Sequence, residues 1–192
     1  MRIHERLTWP GRRAIARMAT LVALALTALV SVARAAEIIP SIGMTRSARP
    51  GGDDRAQAYG GVALRGNLLP LLQSEIGVAY RDESRENGAL KVRMWPVTAS
   101  LWLTPLPSLY AGGGVGWYHT TLDYNSALPL TNETHQSFGV HVGGGLRVPF
   151  ASAAALDLGG RYVFLRPQRS QLVPETFDPD YWTTTLGLAI RF

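Results

Sequence analysis

Apolar and polar residues alternate with a period of two along most of the chain after residue 36. Alternation of this kind predicts β-strands that present one face to an apolar phase, and clusters of Gly, Pro, Asp and Asn mark the turns between them. Eight strands are predicted, at about 37–45, 56–66, 72–81, 89–103, 108–121, 134–149, 154–166 and 181–192.

The connections between these strands alternate in length. The long ones, which are polar or rich in proline, are 47–55, 82–88, 122–133 and 167–180, and the short ones are 67–71, 104–107 and 150–153. Long and short connections alternate in membrane barrels whose hairpins run between an exterior and a periplasmic rim. We therefore predict an all-β fold, an eight-stranded antiparallel up-and-down transmembrane β-barrel, with its termini in the periplasm and four longer loops outside.

The phase of the alternation assigns a lipid face and a lumen face to each strand. In the last strand Leu186, Leu188 and Ile190 share one parity, which we assign to lipid, and Arg191 lies on the other. Within strands three, six, seven and eight the inward parity carries charged residues, namely Glu75, Arg81, Arg147, Asp157, Arg161 and Arg191. The predicted lumen charge network comprises Arg65, Glu75, Arg93, Arg147, Asp157, Arg161 and Arg191, with Glu37 as a further inward carboxylate.

The fourth strand does not follow this rule, because Lys91 and Arg93 share a parity with the apolar Val97. Proline within a strand is usually confined to edges and bulges, and a bulge shifts the faces by one residue. We therefore predict a bulge near Trp95-Pro96 that turns Arg93 inward.

Glycine and aromatic residues complete the predicted barrel. Inward glycines such as Gly139, Gly143 and Gly145 leave room for large neighbours in a narrow lumen, although glycine is depleted from ordinary strands. Aromatic girdles mark the two lipid–water boundaries of a membrane barrel. The residues predicted to form them are Trp117, Tyr118, Tyr162 and Trp182.

Residues 1–35 have the three parts of a secretory signal: an arginine-rich start, the apolar run from Met18 to Val32, and Ala33-Arg34-Ala35. We predict cleavage after Ala35, which leaves a barrel domain of residues 36–192.

The whole chain has 19 Lys+Arg and 14 Asp+Glu, and the signal holds six arginines and one glutamate, so 13 of each sign remain. A formal charge near zero argues against nucleic-acid binding. The absence of cysteine excludes disulfides and thiolate metal sites.

The final strand, Thr183 to Phe192, resembles that of the small outer-membrane β-barrel superfamily, the OmpA-like and OmpW-like transmembrane domains of Gram-negative bacteria. Glycine-aromatic stretches such as 114–118 and 159–162 are also similar to it. The resemblance implies residence in the cell outer membrane and recognition of the last strand by the barrel-assembly machinery. The residues that the machinery would recognise are Leu186, Leu188, Ile190 and Phe192.

The sequence offers two candidate functional sites, each of which also has a simpler structural explanation. The inward charges could line a polar conduit, but a hydrogen-bonded charged plug is favoured, because buried charges need partners.

Lipid A deacylases of similar architecture use a His-x-Ser pair together with a glutamate. His135 and Ser137 match the pair, and Glu133 is close in sequence. The pair is predicted to face the lumen, and the longer flanking motif is missing. No catalytic, cofactor or metal site is therefore predicted.

The predicted function is that of an integral outer-membrane barrel without enzymatic activity, with a structural or surface-interaction role. Its expected partners are outer-membrane lipid, lipopolysaccharide and the assembly machinery, and we expect a monomer. An OmpW-like pathway for small hydrophobic or polar solutes is the alternative, and lipid A modification is a further one.

Overall fold

The computed structural model describes residues 36–48, 56–85, 90–124, 133–166 and 180–192. They form eight strands: β1 (Ala36–Ser47), β2 (Gln57–Leu69), β3 (Leu72–Arg85), β4 (Leu90–Leu106), β5 (Leu109–Tyr124), β6 (Glu133–Ala151), β7 (Ala154–Leu165) and β8 (Tyr181–Arg191). Each strand pairs with the next, and β1 pairs with β8, so the sheet closes into an antiparallel barrel. The predicted fold class is confirmed. No helix in the described part of the chain is long and apolar enough to cross a membrane.

The predicted signal peptide and most residues of the long connections lie outside the described residues. Cleavage after Ala35 therefore stays a prediction.

Three tight turns join the strands at one end, which we call the short-turn rim. The turn residues are Pro70-Leu71, Pro107-Ser108 and Ser152-Ala153, and the register shifts in the strand that precedes each turn. Proline presets the backbone for the first turn position, and a bulge lets such a turn join strongly twisted strands. The strands before these turns, β2, β4 and β6, therefore extend to the first turn residue without an intervening loop. The opposite end, from which the long connections leave, is the long-connection rim.

No bulge interrupts β4 at Trp95-Pro96, so that prediction is wrong. β4 pairs with β5 in one unbroken register from Leu90 to Leu103, and its register with β3 is the same on both sides of Pro96. Because proline lacks an N–H, the pairing between β3 and β4 is interrupted at this point, but neither strand shifts. Arg93 consequently keeps the outward parity of Trp95.

The outward face of the barrel carries a broad apolar belt. Its side chains are 37 to 75 % exposed, although most are branched aliphatic or aromatic, as Ile42, Leu64, Val140 and Leu186 illustrate. An exposed apolar surface that encircles the molecule is incompatible with water and matches the hydrocarbon core of a bilayer.

Tyr118 is not part of an aromatic girdle, because it is 1 % exposed and faces the lumen. Adjacent residues of a strand point to opposite faces, so Trp117, which is 51 % exposed, takes the outward position alone. Inward glycines admit the Tyr118 ring: a Cβ on Gly116 would lie 2.7 Å from the ring, and one on Gly139 would lie 3.1 Å from it.

Candidate functional site

A network of charged side chains crosses the centre of the lumen. Arg65 donates to Glu75 from Nε at 2.9 Å and from Nη2 at 2.7 Å, and its Nη1 donates to Asp157 at 2.7 Å. Arg161 donates to the other oxygen of Glu75 at 2.6 Å. The Tyr110 hydroxyl donates to the second oxygen of Asp157 at 2.7 Å. We call these five residues the central plug.

The plug joins opposite walls of the barrel. Glu75 lies on β3 and Arg161 on β7, which are four strands apart in a ring of eight. Glu75, Arg65 and Asp157 are only 2 to 4 % exposed. Two arginines face two carboxylates, so the charges balance, and each pair supplies the hydrogen bonds that buried charges require.

Aromatic rings hold the two arginines in place. The guanidinium carbon of Arg65 lies 4.4 Å from the centroid of the Tyr110 ring, and that of Arg161 lies 5.1 Å from the Trp102 ring. Trp102 and Tyr110 meet edge to face at 5.4 Å. Contacts of this kind favour a cation and restrict its orientation.

A second ion cluster lies nearer the short-turn rim. Glu37 accepts hydrogen bonds from Arg147 and from Arg191, the latter at 3.1 Å. The side chain of Arg191 is 54 % exposed, whereas that of Glu37 is 7 % exposed. This cluster therefore meets solvent on one side.

Toward the long-connection rim the lumen is filled by an apolar cluster. Its members are Met94, Tyr118, Val163, Leu165 and Tyr181, all at most 7 % exposed. The Arg81 guanidinium carbon lies 4.5 Å from the Tyr181 ring. Ion pairs and apolar side chains thus occupy successive levels of the described lumen.

A small cavity and a wider opening border the plug. A cavity of about 40 Å³ borders Glu75, Arg161 and Tyr59, which is room for ordered water only. A wider opening of about 400 Å³ lies at the short-turn rim, where Tyr110 and Arg147 form part of its wall.

The predicted lumen residues thus fall into three places. The central plug contains four of them, Arg65, Glu75, Asp157 and Arg161. The cluster at Glu37 contains Arg147 and Arg191. Arg93 belongs to neither group. Assignment of Arg93 to the lumen is corrected, because its side chain is exposed on the outer face. The assembly-signal residues Leu186, Leu188, Ile190 and Phe192 all lie exposed on that face.

Sequence reasoning missed Tyr110 of the central plug and also a buried polar pair, Ser100 and His141, whose Oγ and Nε2 lie 2.9 Å apart. Ser100 and His141 both lie on the inward parity of their strands, and this position could have pointed to the pair. Burial at 4 % and 2 % exposure keeps the pair from substrate, and within the described part of the chain no carboxylate binds the Nδ1 atom to orient the ring as a catalytic triad requires. His135 and Ser137 also have inward parity, alternating with the outward Phe138 and Val140.

No protein-family model matches the chain, and no curated protein matches it by sequence. Solved structures do match. Neisserial surface protein A, NspA, superposes with a TM-score of 0.61 at 13% identity, over 82% of this chain and 96% of its own. OprG of Pseudomonas aeruginosa gives 0.59 at 16% identity, over 82% and 95%. Ail of Yersinia pestis, solved with the heparin analogue sucrose octasulfate, gives 0.56 at 15% identity, over 82% and 97%.

The chain has the fold of the small outer-membrane β-barrels. The resemblance to OmpA-like and OmpW-like barrels is confirmed at the level of the fold. At these sequence identities the matches establish the fold of the chain, and they do not extend the ligands of the matched proteins to it.

Proposed function

We propose that this protein is an integral outer-membrane barrel with a closed lumen and no enzymatic activity, which acts through its lipid-facing wall and its outer rim. The central plug is the observation that carries the proposal. Ion pairs between β3 and β7 cross the lumen, and the cavity beside them holds only about 40 Å³. Solute passage would require buried, paired charges to separate.

The apolar belt supports placement in a membrane, and the short turns support an orientation with the short-turn rim in the periplasm. The partners in this proposal are outer-membrane lipid and lipopolysaccharide around the belt and the barrel-assembly machinery at β8. The oligomeric state in this proposal is a monomer, and the closed sheet supports it in one respect, because no strand edge is left for pairing with a second chain.

A conductance measurement tests the closed lumen. Protein refolded into planar bilayers is expected to give no single-channel steps. Arg65→Ala combined with Arg161→Ala removes both cations of the plug and is expected to produce openings, provided that the variant still migrates as a folded barrel. Steps in the unmodified protein that disappear in Arg161→Ala would instead favour the solute pathway.

Lipid A analysis tests the absence of enzymatic activity. Expression of the protein is expected to leave the mass spectrum of lipid A unchanged, because Ser137 and His135 have inward parity. A mass change that requires Ser137 would contradict the proposal in favour of lipid A modification.

A further inference from the structure

A shallow groove of about 330 Å³ lies on the outer wall near the long-connection rim. Its lining residues are Tyr80, Arg93, Trp95, His119 and Thr121, from β3, β4 and β5. Every one of them has outward parity, so the groove faces the surroundings of the barrel and not the lumen. None of them belongs to the central plug.

The outer wall changes from polar to apolar in successive rows below this rim. Each row holds one outward residue from each of β3, β4, β5 and β6. The row nearest the rim is polar and consists of Asp82, Arg93, Thr121 and Thr134, and the next is mixed and consists of Tyr80, Trp95, His119 and Gln136. The third row, Val78, Val97, Trp117 and Phe138, and the fourth row, Ile76, Ala99, Val115 and Val140, are apolar. Trp and Tyr are typical of the lipid–water boundary, and aliphatic residues of the hydrocarbon. The groove therefore lies at the depth of lipid headgroups.

The groove offers donors suited to a phosphate. The guanidinium of Arg93 presents paired N–H donors whose geometry matches phosphate oxygens. In register, Arg93 lies opposite Thr121, and His119 lies opposite Trp95, so a hydroxyl and an imidazole stand beside the cation. Trp95 and Tyr80, with ring centroids 4.7 Å apart, form an apolar wall for the attached sugar or acyl chain.

One carboxylate also faces this position, because Asp82 is in register with Arg93 on the β3 side. An arginine can serve two acceptors at once through its five N–H groups. A phosphate that approaches from the lipid side can thus share Arg93 with Asp82.

We infer that this groove binds a phosphate of an outer-leaflet glycolipid of the lipid A type, with Arg93 as the principal contact. The inference rests on the proposed function, since it requires the long-connection rim to lie in the outer leaflet. It explains why a cation interrupts the lipid face of β4.

Native mass spectrometry of the processed protein in detergent tests this site. The probes are bisphosphorylated lipid A, the same lipid without phosphates, phosphatidylglycerol and inorganic phosphate. Bisphosphorylated lipid A is expected to be retained in preference to the other three. Arg93→Gln is expected to weaken its retention about tenfold, as the loss of one charge-assisted contact predicts, and Arg93→Lys less. Arg46→Gln, which removes an exposed arginine of β1 near the same rim, is the matched control and is expected to have no effect.

Equal retention of dephosphorylated lipid A, phosphatidylglycerol or inorganic phosphate would overturn the inference. Equal weakening by Arg46→Gln and Arg93→Gln would also overturn it, because the effect would then be one of general charge. Failure of the unmodified protein to insert into bilayers would refute the proposed function, whereas insertion without selective retention would refute this site alone.

Discussion

Glu75 connects the two arginines of the central plug because each of its oxygens accepts from a different guanidinium. Its loss therefore leaves the buried Arg65 and the half-buried Arg161 each short of an acceptor, and an unpaired buried charge is far costlier than a lost surface ion pair.

We expect Glu75→Gln to lower the free energy of unfolding by about 3–5 kcal/mol. Urea denaturation of the barrel in lipid vesicles measures it. Arg191→Gln is the control, because that side chain is 54 % exposed, and it should cost less than about 1 kcal/mol. Similar losses in the two variants would show that the plug does not depend on Glu75.

Gly139 tests the requirement for small residues on the inward face. A Cβ there would lie 2.5 Å from Cδ2 of Leu165 and close to the Tyr118 ring, so Gly139→Ala should destabilise the barrel by about 1–3 kcal/mol. Gly160 is the control, because it faces outward and a Cβ there meets nothing nearer than 4.0 Å. Gly160→Ala should be neutral, and a loss as large as that of Gly139→Ala would contradict the packing argument.

At the scale of the strand, the period of two was sufficient to predict all eight elements and the faces of β3, β6, β7 and β8. It failed on β4 because Arg93 departs from the rule that charges point inward, whereas the strand keeps one register. Pro96 removes a donor without changing the register, so the phase set by Val97 holds along the whole strand and carries Arg93 outward.

Ion-pair partners across the lumen could not be predicted in this way. Arg147 and Asp157 are direct neighbours in the β6–β7 register, yet Arg147 binds Glu37 and Asp157 binds Arg65. These choices depend on how the closed sheet brings distant strands together, and alternation within one strand does not contain that information.

The lipid face of β6 gives a prediction at this scale. Val140 is 47 % exposed and pairs with the outward Val115 and Phe164, so it lies within the apolar belt. Val140→Arg should cost about 2–4 kcal/mol in vesicles, because a cation in hydrocarbon is poorly solvated. Thr134→Arg places the same charge on the same strand and face, in the polar row near the rim, and should cost about 0–1 kcal/mol. Equal costs would mean that the belt does not face lipid.

For the whole molecule, ring closure and the plug act together. Every strand has two neighbours, and the plug ties β2, β3, β5 and β7 to one another through the interior.

We therefore expect the barrel to resist detergent until it is heated, and to run faster on a gel unboiled than boiled. Glu75→Gln should lower the temperature at which the two bands interchange, while Arg191→Gln should not. A protein that runs identically with and without boiling, and that stays in the soluble periplasmic fraction, would contradict the membrane-barrel interpretation.

Pro40 gives the β1–β8 seam an uneven strength. The pairing between these strands runs from Glu37 to Ile38 and resumes at Ser41 in the same register, so the residues between them contribute no rung. A ring can lose a strand only after one seam has parted, and the time needed for that step sets how long the folded molecule persists. The same two-residue gap occurs beside Pro96 between β3 and β4, so we expect the first seam to part at one of these two interruptions, and the weaker of the two to set the lifetime of the barrel.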